Sequence, residues 1–88
     1  MKPPQRPPSW AATLIPLDAG VLRELPMETA PEDWPTAEQV AARLDVAVDV
    51  ARSSLRRLNG RRLAEHDGGR PRRWARTARG EQALEWEP

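Results

Sequence analysis

The stretch Leu44-Asp-Val-Ala-Val-Asp-Val-Ala-Arg-Ser-Ser-Leu-Arg-Arg-Leu58 decides how the rest of the chain is read. Ala51, Leu55 and Leu58 recur at spacings of four and three, which puts them on one helical stripe. At about 100° per residue, Asp49, Ser53 and Arg56 fall opposite that stripe, with Arg52 and Arg57 flanking them. The pattern predicts a helix over Val48–Leu58 with one apolar face and one face of guanidinium, hydroxyl and carboxylate groups. Asp45-Val-Ala47 reads as the tight turn before it, with Val46 plugging the space between two helices. Asn59-Gly60 reads as its stop.

Upstream, Thr36 is followed three positions later by Gln39, a capping-box pattern that opens a helix over residues 36–44. Val40, Ala41 and Leu44 form its inward stripe. A first helix is predicted over residues 17–25, with Asp18 as N-cap and Val21, Leu22 and Leu25 buried. Gly20 weakens it and Pro26 ends it. Between these helices, residues 26–35 form a loop punctuated by Pro26, Pro31 and Pro35. Trp34 is expected to pack on the core as a short strand beside a later hairpin.

Downstream, residues 62–77 read as that hairpin. Leu63 opens the first strand, Asp67-Gly68-Gly69 is the turn, and Arg72 to Thr77 return with Trp74 facing the core. Arg76 lies in phase with Trp74, so its stem must snorkel past the core. Thr77 to Trp86 form a last short helix with Thr77 as N-cap. Ala83, Leu84 and Trp86 are left to cover the core or support self-association. Residues 1–13 carry four of the ten prolines and read as a disordered, extended arm. Residues 14–88 are then the single domain.

An 88-residue chain buries only a small core. It has no cysteine and one histidine, His66, so neither a disulfide framework nor a zinc site is expected. No cofactor is implied. No apolar run approaches the roughly 20 residues that span a bilayer. No signal peptide is recognisable, and a cytoplasmic location is expected. An enzyme is not expected either: the acids are scattered, and Ser53 and Ser54 have no base in view.

Net charge is only +1, but it is segregated. Residues 1–51 hold four basic and eight acidic groups, whereas residues 52–79 hold ten arginines against Glu65 and Asp67. Preference for arginine over lysine can follow from a GC-rich coding sequence; its crowding into one block cannot. Such a block is the footprint of a polyanionic partner.

The order helix, helix, turn, helix, hairpin, helix resembles the winged helix-turn-helix domains of bacterial regulators such as the MarR, ArsR and PadR families. Thr36-Ala-Glu-Gln-Val-Ala-Ala-Arg-Leu-Asp-Val-Ala47 is similar to their second helix and turn. Leu55-Arg-Arg-Leu58 is similar to the end of their third helix. Leu63, the run Gly68-Gly-Arg-Pro-Arg-Arg-Trp74 and Thr77-Ala-Arg-Gly80 are similar to their wing and its exit. Relatives often carry glycine just before the wing leucine; here that place holds Arg62. The fold class so implied is mainly α with a small β-hairpin: a three-helix core, a wing and a short C-terminal helix.

The resemblance implies a small transcriptional regulator, or an accessory factor of a phage or mobile element, that binds double-stranded DNA at the nucleoid. Its third helix would lie in the major groove, with contacts from Asp49, Arg52, Ser53, Arg56 and Arg57. Its wing, with Arg70, Arg72 and Arg73, would touch backbone or minor groove. The alternative is a winged-helix module that binds protein, with Trp10 and Trp86 as contacts. A homodimer stays open. RNA has less support, because the single-strand binders' interleaved aromatics are lacking.

Overall fold

The computed structural model describes residues 14–85. They form four helices and one two-stranded antiparallel hairpin: α1 (Pro16–Glu24), α2 (Ala37–Leu44), α3 (Val48–Gly60), β1 (Ala64–His66), β2 (Trp74–Arg76) and α4 (Ala78–Glu85). The proposed arm, Trp10 and Trp86 lie outside the described residues.

α3 is the centre of the fold and packs on α1, α2 and β1. Ala51, Leu55 and Leu58 are fully buried, as their spacing predicts. Leu55 and Leu58 share one core cluster with Val21 and Leu22 from α1, Leu25 at its end, Val40 from α2, and Leu63 just before β1. Ser54 is also fully buried, although its hydroxyl needs a partner. α3 ends two residues later than Leu58, at Gly60. The left-handed residue beyond it is Arg62, with φ 61°.

α2 begins as its sequence predicts. Thr36 Oγ1 accepts from the Gln39 N–H at 3.3 Å, and Gln39 Oε1 accepts from the Thr36 N–H at 2.8 Å. Asp45 closes the helix in the left-handed conformation, and half-buried Val46 donates its N–H to Ala41 O at 3.0 Å. α3 has Ala47 at its N-cap position and so no side-chain cap, as alanine must leave it.

α1 differs from expectation. Asp18 is not its N-cap. Pro16, whose fixed φ suits the first helical position, starts the helix earlier and leaves Asp18 inside the first turn, 5% exposed and turned toward α3. Trp34 does not form the strand beside the hairpin. Its backbone N–H closes a 3-10 turn on Pro31 O, and its indole Nε1 donates to Thr29 O at 3.0 Å. The bridge to the hairpin comes instead from Thr36, paired with Arg73.

The hairpin pairs Ala64 with Arg76, Glu65 with Ala75 and His66 with Trp74. Its returning strand is shorter than predicted, because Arg72 and Arg73 stay in the connecting loop, residues 67–73. Trp74 faces the core and meets the edge of His66 with ring centres 5.0 Å apart. Arg76 is half-buried, and its Nε reaches Glu81 Oε2 at 3.1 Å, so the stem does run along the core toward a charge. Thr77 caps α4: its Oγ1 accepts from the Gly80 N–H at 2.9 Å and donates to Arg62 O at 2.8 Å.

Candidate nucleic-acid interface

The arginines of the 52–79 block fall into groups with different tasks. Arg57 stays exposed on α3, with 46% of its side chain accessible, but it is paired. Its Nε and Nη2 donate to the two carboxylate oxygens of Asp18 at 3.1 and 2.7 Å, and Ser54 Oγ donates to the same group at 2.6 Å. This ties α1 to α3, and the bonded carboxylate raises the Arg57 pKa. Arg73 is half-buried. Its Nη1 donates to the carbonyls of Glu32 and Trp34 at 3.1 and 3.3 Å, which moors the hairpin loop to the 3-10 turn. Both residues are expected at a nucleic-acid surface; in the structure the guanidinium of each is bonded to another part of the chain.

Arg52 is held differently. Its Nη2 donates to Glu38 Oε1 on α2 at 2.6 Å, and its Nη1 lies 3.6 Å from Asp49 Oδ1 one turn back. Glu38 is kept below the usual carboxylate range, chiefly by its backbone N–H at the start of α2; desolvation opposes this, and the bond and charge of Arg52 add to the lowering. Arg52 keeps 44% of its side chain exposed and Asp49 94%.

Arg56, Arg70 and Arg72 are exposed and have no hydrogen-bond or ion-pair partner among the described residues. Arg56 and Arg72 join Arg52 around a cleft of about 190 Å³ between α3 and the hairpin loop. Ala37, Pro71 and Trp74 complete its apolar side, and Glu38 stands at its edge. Arg70 precedes Pro71 on the same loop, and Ser53 is exposed on α3. Of the eight side chains predicted to meet a nucleic acid, Arg52, Arg56 and Arg72 are thus brought to one cleft.

Asp67 fixes the loop that carries Arg70 and Arg72. Its Oδ1 accepts from the N–H groups of Gly69 at 2.9 Å and Arg73 at 3.1 Å. These two donors, Arg73 first, hold its carboxyl below the usual range. Gly68, between Asp67 and Gly69, takes the left-handed conformation with φ 74°.

Sequence reasoning did not find Glu38 or Asp18. Each meets its arginine across a large separation in the chain, 14 and 39 residues, and neither stands in a local charge pattern that names its partner. Among the described residues no group of three acids or histidines converges as a metal site. None of the described helices is long and apolar enough to cross a membrane. Comparison of the chain with protein-family models, with curated proteins and with solved structures finds no match in any of the three.

Proposed function

We propose that this chain is a winged helix-turn-helix protein that binds double-stranded DNA. In this reading α2 and α3 are the helix-turn-helix pair, α3 enters the major groove, and the hairpin is the wing. The observation that carries it is that three arginines without partners among the described residues stand near one another: Arg56 and Arg72 border one cleft beside α3, and Arg70 stands on the same loop. Unpaired guanidinium groups on one surface attract phosphates and favour a polyanion over a neutral partner. The rigid frame behind them supports the same reading, since Asp18, Asp67 and the capping box fix the elements that present them. A small regulator of transcription, or an accessory factor of a phage or mobile element, is the role that fits such a surface.

The test is fluorescence anisotropy with a labelled random duplex at low and moderate salt, alongside the double variant Arg70→Ala/Arg72→Ala. Binding that weakens with salt and weakens further in the variant is the expected result. No duplex binding by the unaltered protein at low salt overturns the proposal. A protein complex that persists after charge reversal at Arg70 and Arg72 would then favour an interaction module.

A further inference from the structure

We propose that Arg52 reads guanine, and that Glu38 and Asp49 position it for that task. The inference rests on the duplex-binding reading above and assigns a division of labour within it. Arg52, Arg56 and Arg72 share the cleft, yet only Arg52 is flanked by carboxylates. Arg52, Glu38 and Asp49 together carry a net charge of −1. A phosphate brought to this cluster would meet two carboxylates along with the guanidinium, so the cluster is a poor clamp for the DNA backbone. A base edge is neutral and escapes that repulsion.

The guanidinium has donors left for a base. It offers five N–H groups. Glu38 takes one from Nη2, and Asp49 lies at a longer 3.6 Å from Nη1. Guanine presents O6 and N7, two adjacent acceptors that match the arginine fork, and this is the commonest specific contact in the major groove. The carboxylates also hold a long, flexible side chain in one orientation before DNA arrives. Ordering that would otherwise oppose binding is already done. Glu38 comes from α2 and Asp49 from α3, so the orientation is tied to the rigid pair of helices. Arg56 and Arg72 have no carboxylate partner and keep their full charge for phosphates.

The experiment is site selection from a randomised duplex library, followed by salt titration of the selected duplex. The unaltered protein is expected to enrich guanine at one position in each site. Arg52→Ala should lose that preference by about tenfold or more while leaving the salt dependence unchanged. Arg52→Lys keeps the charge but not the fork, and should lose the preference as well. Glu38→Gln should relax the preference several-fold without strengthening it anywhere else. Thermal melts of each variant confirm that it is folded. Guanine selection that survives in Arg52→Ala overturns the inference alone, as does a salt slope that falls by about one in that variant, the mark of a lost phosphate contact. Duplex binding by the unaltered protein with no base preference also overturns it. Absence of any duplex binding overturns the underlying reading as well, which separates the two failures.

Discussion

Single side chains decide which arginines face outward. Asp18 is a carboxylate within an apolar helix face, and it sits 5% exposed against a fully buried Ser54. Asp18→Ala would leave the Ser54 hydroxyl buried without an acceptor, and such a group costs about 1–3 kcal/mol. A loss of stability in that range is expected by urea denaturation, with Arg57 left without its carboxylate partner. Ser54→Ala should cost less, because Asp18 keeps both bonds from Arg57. Asp67 gives a pH test. Its carboxyl is lowered in the folded state, so its stabilising contribution is complete above the ordinary carboxylate value of about 4 and fades as pH falls through the lower folded value. The amide resonances of Gly69 and Arg73 should therefore titrate together with a midpoint below about 4. A midpoint at or above that value would contradict the two hydrogen bonds. At this scale the sequence is only partly legible. The periodicity identifies Ala51, Leu55 and Leu58 as core, because burial follows a local repeat. It does not show that Arg57 pairs with Asp18, because that partner is 39 residues distant.

Elements are legible where their signals are local. Thr36 and Gln39 announce the start of α2 because both halves of the capping box lie within one turn, and Thr77 announces α4 in the same way. Thr36→Ala should accordingly lower stability by about 0.5–2 kcal/mol. Boundaries set by distant partners are less legible. Arg72 and Arg73 were expected in a strand, yet the Asp67 side chain and the 3-10 turn hold this segment as a loop. The junction of α4 with the hairpin gives a sharper test. A β-carbon on Gly80 would sit on the Leu63 carbonyl oxygen, which already accepts from the Thr77 N–H at 3.1 Å. Overpacking costs about 1–3 kcal/mol, and a backbone neighbour that cannot swing aside places Gly80→Ala at the upper end. The better helix propensity of alanine returns up to about 1 kcal/mol. The expected net loss is about 2 kcal/mol, seen as a fall of roughly 8 °C or more in Tm by circular dichroism. An unchanged or higher Tm would show that α4 does not lie this close to the hairpin.

Over the whole molecule, the ten arginines of the 52–79 block do not act as one charge. Arg52, Arg57 and Arg76 have acidic partners, and Arg73 donates to backbone carbonyls. The +8 of this segment therefore overstates what a polyanion meets. This separation was not readable from composition, which counts charges without their partners. It has a quantitative consequence for the proposed DNA binding. If Arg56, Arg70 and Arg72 each neutralise one phosphate, the logarithm of the association constant should fall against the logarithm of salt with a slope of roughly −3. If the whole block engaged, the slope would be roughly −9. Isothermal anisotropy titrations at several salt concentrations distinguish these values. Each single variant, Arg56→Ala, Arg70→Ala or Arg72→Ala, should make the slope shallower by about one. Arg57→Ala should leave the slope as it is and lower stability instead, because its guanidinium is bonded to Asp18. A steep slope that Arg57→Ala makes shallower would mean that this ion pair opens on binding and that α1 yields its brace to the DNA.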